Sequence, residues 1–163
     1  MAMKRNEFFG KVRHHFTQKE REELRWAYNL TKLIHGYKKV QTRDDESRYF
    51  EHPKEVAMVA FEFFGIKTDL SLLILCLLHD TKEDGYLLIE SMVCRLFGKN
   101  LTRSLLFVSK DESNKSIFFE ILLTCNDWRA ILCKLADRTH NMRTLSSCER
   151  SKQIKQVTET EEN

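Results

Sequence analysis

Two stretches of the chain are apolar nearly all round: VAMVAFEFF at residues 56–64 and LSLLILCLL at 70–78. A helix with no polar face has to sit in the middle of a bundle, covered on most sides. Elsewhere the apolar positions recur at helical spacing. The pattern predicts helices over about 6–15, 17–37, 53–64, 68–80, 85–97, 99–109, 114–124 and 126–145. Thr17 followed by Glu20 forms a capping box for the second of these. Pro53 suits a first helical position and places His52 at or next to the cap. Gly65 and Gly98 read as helix stops. Residues 38–51 are polar and aperiodic and form the longest expected loop. The polar stretch after 145, ending TETEEN, reads as a weakly helical or frayed tail. The expectation is an all-α helical bundle, a single compact domain over 1–145 with a tail at 146–163.

Composition supports this and narrows the function. Five Gly and one Pro in 163 residues argue against a turn-rich β fold. A net charge of +3, with basic and acidic residues interspersed, gives no footprint for nucleic acid. The longest apolar run, Leu70 to Leu78, is far short of the roughly 20 residues a membrane span needs, so no membrane role is expected. The start MAMKRNEFFGKVRHH lacks the apolar core of a secretory signal. Cys76, Cys94, Cys125, Cys133 and Cys148 are an odd set without CxxC spacing and read as reduced core thiols. A cytoplasmic protein is expected.

The chemistry begins where the second apolar run ends, in LLHDTKED. Burying an ionised carboxylate beside an imidazole costs several kcal/mol unless something pairs with it. His79 and Asp80 cap an interior helix and therefore face a cavity or cleft. Two more segments supply groups of the same kind: His52 in YFEHP and Asp137 in KLADRTHNMRTL. Two imidazoles and two carboxylates make a mixed N/O set that suits Mn²⁺, Fe²⁺ or Zn²⁺. Taken singly, His52 reads as a helix cap and His79-Asp80 as a hydrogen-bonded pair ending a helix. On a helical wheel Ile131, Leu132, Leu135, Ala136, Thr139 and Met142 form the apolar stripe, and Asp137 and Asn141 fall together opposite it. Periodicity leaves open whether that side is solvent or the wall of a cleft.

The order H…HD…D resembles the HD phosphohydrolase superfamily. The wording is similar to the hydrolase domain of the RelA/SpoT alarmone enzymes and their small stand-alone relatives. QTR followed by YFEHPKEVA, then LLILCLLHDTKED, the linking ESMVCRLFGKNLTRSLLFVSK and finally KLADRTHNMRTL carry the likeness, over about residues 24 to 145. The resemblance implies an HD-domain fold with one Mn²⁺ (Fe²⁺ or Zn²⁺ possible) held by His52, His79, Asp80 and Asp137. It implies a catalytic pair, Glu83 and Asp84, and substrate contacts from Arg43 and Asn141, with Arg138, His140 and Arg143 mainly bracing the site. A bound divalent ion polarises a phosphoryl oxygen and lowers the pKa of a bound water. Glu83 and Asp84, one turn on, would orient that water or relay its proton. The implied reaction is hydrolysis of the 3′-pyrophosphate of (p)ppGpp, a small-molecule nucleotide, to GDP or GTP and pyrophosphate.

One stretch departs from the family. Where relatives read HxGQxRKSGEPYIxHP, this chain has HGYKKVQTRDDESRYFEHP, with Asp44-Asp45-Glu46 in place of Lys-Ser-Gly. Carboxylates beside a polyanion repel it, although Lys38, Lys39 and Arg48 stand nearby in the sequence. The departure leaves the ligand set untouched and widens the substrate choice to ppApp. It also favours a rival reading, a nucleotide phosphatase acting on NADPH or a nucleoside monophosphate. A third reading is a catalytically idle HD domain that binds a nucleotide, against which the retained Glu83, Asp84 and Asn141 argue. The chain ends soon after the third motif, so only the hydrolase side of the long enzymes is expected.

Overall fold

The computed structural model describes residues 3–37, 50–83, 88–110 and 117–162. The polypeptide forms helices α1 (Arg5–Val12), α2 (Gln18–Tyr37), α3 (Glu51–Met58), α4 (Leu70–Leu78), α5 (Ile89–Val108), α6 (Phe118–Thr124), α7 (Trp128–Arg143) and α8 (Arg150–Glu162). A π-helical turn, Val59–Phe63, continues α3, and a 3₁₀ turn, Leu145–Ser147, precedes α8. No strand occurs among the described residues. The all-α helical bundle expected from the sequence is the fold.

Helix α4 is the axis. Every residue from Leu72 to Leu78 is buried, and α4 packs against α2, α3, α5 and α7. Thr31 of α2 donates its hydroxyl to the Leu77 carbonyl at 2.7 Å, a buried polar tie between those two helices. The capping box of α2 forms as expected: Glu20 Oε2 accepts from Thr17 N at 2.8 Å, and Glu20 N donates to Thr17 Oγ1 at 3.3 Å. Gly98 takes φ +86° inside the α5 segment and breaks it there, and Gly65 takes φ +71° after the π-helical turn. Both are left-handed conformations that favour glycine.

Three expectations need correction. Helix α3 begins at Glu51, so His52 lies inside the first turn and Pro53 is its third residue. First-turn N–H groups have no intrahelical acceptor, so proline costs no hydrogen bond there. The buried stripe of α7 is Ala130, Cys133 and Ala136, with none of their surface exposed, while Leu135 is half exposed. Small side chains let the backbone of α7 approach α4 closely, which a reading weighted toward large apolar residues does not favour. Finally, only Cys76 and Cys133 are fully buried; Cys94, Cys125 and Cys148 are half-buried, and all five are free thiols.

The N-terminal ends of α4 and α7 are clasped together. Asp69 caps α4 by accepting from Leu72 N at 2.7 Å. The guanidinium of Arg129, in the first turn of α7, binds both oxygens of Asp69, with contacts of 3.0, 2.9 and 2.8 Å. Asp127 caps α7 through Arg129 N and Ala130 N and receives the Ser104 hydroxyl from α5 at 2.5 Å. At a rise of about 1.5 Å per residue, His79 and Asp137 both lie roughly 12–15 Å beyond this clasp, at the same level of the bundle. Asp69→Ala removes the cap and the clasp together, so it should lower stability by about 1–2 kcal/mol. Urea unfolding checks this, with the midpoint falling at unchanged slope.

Candidate metal centre

Each candidate ligand is delivered by a local rule. His79 and Asp80 follow the last residue of α4, where Thr81 closes the helix by donating to Leu78 O at 2.5 Å. His52 is fixed by the first turn of α3. Asp137 continues the small-residue face Ala130–Cys133 of α7 toward α4, so it points inward rather than at solvent. His52, His79 and Asp80 are buried, and each offers a ligand atom within 4.8 Å of the others. His79 Nε2 lies 2.8 Å from Asp80 Oδ1 and 3.7 Å from Asp137 Oδ1. His52 Nε2 lies 3.1 Å from Asp137 Oδ1 and 3.5 Å from Asp80 Oδ2. Donor atoms sharing one ion at about 2.0–2.2 Å lie roughly 3–4 Å from each other. The four imidazole–carboxylate pairs, at 2.8–3.7 Å, are near that spacing; His52, His79 and Asp80 form the mutually close group, and Asp137 joins it through the two imidazoles.

The orientation of the imidazoles also fits an ion. His79 Nδ1 is 2.8 Å from the Cys76 carbonyl, which can only accept, so Nδ1 carries the proton and Nε2 faces the cluster. Among the described residues His79 Nε2 is buried with no hydrogen-bond partner in acceptable geometry. His52 turns Nδ1 to His140 Nδ1 at 2.9 Å and Nε2 to the carboxylates. With His140 accepting from Nδ1–H, the His52 Nε2 lone pair is free to ligate, the arrangement in which an outer partner fixes a ligand's tautomer.

Electrostatics divide the two rings. Burial pushes the His52 imidazole below its ordinary pKa, although Asp137 and Asp80 work against this. Burial acts on His79 in the same sense, but Asp80 and Asp137 outweigh it and hold its pKa well above the ordinary value. Burial would raise both carboxyls. Instead His79 and His52 hold Asp80 below the usual carboxylate range, and the same two rings with Lys134 hold Asp137 well below it.

A cavity of about 330 Å³ lies against Asp137. Glu83, Lys134 and Asn141 line it with Asp137, and Phe118 and Phe119 of α6 form part of its apolar wall. Glu83 Oε1 accepts from Lys110 N at 2.7 Å, and burial raises its carboxyl above the ordinary value despite the charge of Lys134. Asn141 Nδ2 donates to Asp137 Oδ1 at 2.8 Å. Asn141 therefore touches a candidate ligand as well as the cavity. Arg138, also on the cavity wall, is tied to α8, meeting Gln156 at 2.9 Å and Glu159 at 3.6 Å, and Arg143 stacks on Phe63 with its guanidinium carbon 4.5 Å from the ring centroid. Arg43, Asp84 and the acidic stretch Asp44-Asp45-Glu46 lie outside the described residues. The sequence reading passed over Lys134, although its spacing to Asp137 and Asn141, three and seven residues on, puts all three on one face of α7.

No family model matches the chain. It is similar to the bifunctional (p)ppGpp synthase/hydrolase SpoT of Escherichia coli, with 36% identity over 149 residues, 85% of this chain and 20% of the relative. It is 34% identical over 158 residues to the guanosine-3′,5′-bis(diphosphate) 3′-pyrophosphohydrolase of Vibrio cholerae, covering 91% of this chain and 22% of the relative. A GTP pyrophosphokinase of Myxococcus xanthus is 35% identical over 150 residues, 84% of this chain and 19% of the relative. The chain thus spans about a fifth of the length of these curated relatives. Among solved structures, one described as a metazoan ortholog of SpoT that hydrolyzes ppGpp superposes with a TM-score of 0.65 at 22% identity, covering 82% of this chain and 78% of that one. The expected resemblance to SpoT-type enzymes holds over most of the sequence, and the fold is that of this neighbour.

An imidazole must be neutral to ligate an ion. With the His79 pKa raised above the ordinary imidazole value and that of His52 lowered below it, uptake of a divalent ion at pH 7 should release about one proton, from His79. Affinity should rise with pH until the raised pKa of His79 is passed. Calorimetry at pH 7 in buffers of different ionisation enthalpy measures this; release of none or of two would contradict it. Replacing His140 with Ala should weaken divalent-ion affinity about 10–100-fold, read by competition with a metallochromic dye.

Proposed function

We propose that this chain is a metal-dependent hydrolase that removes the 3′-pyrophosphate of (p)ppGpp or a close alarmone such as ppApp. The observation that carries the reading is the meeting of His52, His79, Asp80 and Asp137, from three separate helices, beside a cavity that Glu83 and Asn141 line. The likeness to SpoT and to a 3′-pyrophosphohydrolase supports the substrate class. The match spans one fifth of relatives named for both synthesis and hydrolysis, and the ligand cluster favours the hydrolytic side. In this reading the chain works in the cytoplasm on a free nucleotide.

The four residues would hold one ion, Mn²⁺ by the resemblance and Fe²⁺ or Zn²⁺ equally by ligand type. When bound, such an ion supplies Lewis-acid polarisation of a phosphoryl oxygen and a more acidic water. The chain's own groups do the rest. Glu83, with Asp84 beside it in sequence, orients the attacking water and takes its proton at a carboxylate oxygen. The water oxygen bonds to phosphorus, the bond from phosphorus to O3′ breaks, and O3′ leaves with the electron pair and takes up a proton. Burial brings Glu83 nearer neutrality, which suits a group that accepts a proton and gives it back. Asn141, held by Asp137, and Arg43 contact the nucleotide, Arg43 offsetting phosphate charge.

The acidic Asp44-Asp45-Glu46 stretch favours one alternative, a phosphatase acting on NADPH or a nucleoside monophosphate. Purified protein with Mn²⁺ should release one pyrophosphate per ppGpp consumed, scored separately from inorganic phosphate. Asp80→Ala should lose both ion and turnover. Glu83→Gln should keep the ion and lose about 10²–10⁴-fold in kcat. Intact ppGpp under conditions where other phosphoesters are cleaved would overturn the assignment in favour of the phosphatase.

A further inference from the structure

We infer that Lys134 is the phosphate-positioning residue of this site: its ammonium takes a phosphoryl oxygen of the bound substrate and makes binding of the ion and of the anion depend on each other. The inference rests on the metal-dependent hydrolase reading above.

Lys134 lies one turn before Asp137 on α7, with Nζ 3.3 Å from Asp137 Oδ2. Only 18% of its side chain is exposed, and it lines the same cavity as Glu83, Asp137 and Asn141. Burying an ammonium is unfavourable unless the surroundings compensate it. A residue needed only to brace Asp137 could do so from the surface. An ammonium has three N–H donors, and the ion pair with Asp137 Oδ2 engages one side of it.

The other cations on the cavity wall are committed differently. Arg138 is held by Gln156 and Glu159 of α8. The Lys110 ammonium lies 5.8 Å from the centroids of both Phe118 and Phe119, and the Lys134 ammonium lies 5.4 Å from that of Phe118; what sets Lys134 apart is its ion pair with Asp137. Among the described residues Lys134 is thus the cation that touches both a candidate ligand and the cavity.

Its charge gives the site a logic. Without an ion, Lys134 neutralises part of the excess of carboxylate. Once Asp137 shares its charge with a dication, the ammonium is left beside a like charge. A phosphoryl oxygen entering the cavity restores the balance, accepting from Lys134 on one side. Lys134 therefore weakens the binding of the ion alone and strengthens it when phosphate is present, and coupling of this kind is reciprocal.

The test uses the full chain with Mn²⁺ and inorganic phosphate, following bound Mn²⁺ by electron paramagnetic resonance. In the parent protein, phosphate should tighten Mn²⁺ binding. Lys134→Met keeps the aliphatic length without the charge. It should bind Mn²⁺ alone at least as tightly as the parent, bind phosphate about 10–100-fold more weakly when Mn²⁺-loaded, and lose the coupling. Lys134→Arg should restore part of the phosphate affinity. Lys134→Gln supplies the same comparison should the Met variant not fold. The kcat/KM for ppGpp should fall with phosphate affinity. Weaker Mn²⁺ binding with unchanged phosphate affinity would make Lys134 a brace for Asp137 and overturn the inference. Loss of phosphate coupling in a protein that leaves ppGpp intact would sustain Lys134 and remove the proposed substrate instead.

Discussion

The structure turns on a concentration of charge at the end of its most apolar helix. Leu72 to Leu78 are buried, and directly beyond them the buried His52, His79 and Asp80 meet Asp137 at the edge of the cavity. Such a group is costly to assemble. The His79 imidazole, whose pKa the two carboxylates raise, and the ammonium of Lys134 offset part of that charge. A divalent cation would do so more fully, and His79 Nε2, which among the described residues has no hydrogen-bond partner in acceptable geometry, faces the place where it would sit.

The rest of the bundle holds that arrangement in register. Arg129 and Asp69 tie the starts of α7 and α4, and Ala130, Cys133 and Ala136 let the two helices run close. His79 and Asp137 are thereby brought to the same depth. Helix α3 delivers His52 from the side, and His140, one turn beyond Asp137, turns its ring. Helices α4 and α7 therefore each have an end that sets register and an end that carries chemistry. Stability and the candidate site can then be altered separately, at Asp69 or Arg129 on one side and at the candidate ligands on the other.

Much of this was legible in the residues, for definable reasons. LSLLILCLL has no polar face and could only be central. Thr17 and Glu20 stand at capping spacing, and Gly98 breaks a helical pattern at a left-handed position. The candidate ligands stand out because His79-Asp80 ends an apolar run and the neighbouring motifs resemble a known family. The face of α7 was legible only in part: Ala136, Ile131 and Leu132 do pack inward, but periodicity weighs large apolar residues whereas close helix packing selects small ones, and it left the side of Asp137 open. Leu135 is accordingly outside, and Asp137 is inside. The position of His52 within the first turn depends on where α3 starts, which Pro53 marks only to within two residues. Lys134 escaped notice because a lysine beside an aspartate looks like a surface pair. Only the cavity distinguishes it.

The central claim is that His52, His79, Asp80 and Asp137 surround one divalent cation. Anomalous X-ray diffraction at the manganese edge, from crystals grown with Mn²⁺, tests it most directly. The account predicts a single strong peak within bonding distance of both Nε2 atoms and both carboxylates. A peak elsewhere, or a His79 ring turned so that Nε2 faces away from Asp80 and Asp137 with no ion between them, would contradict it.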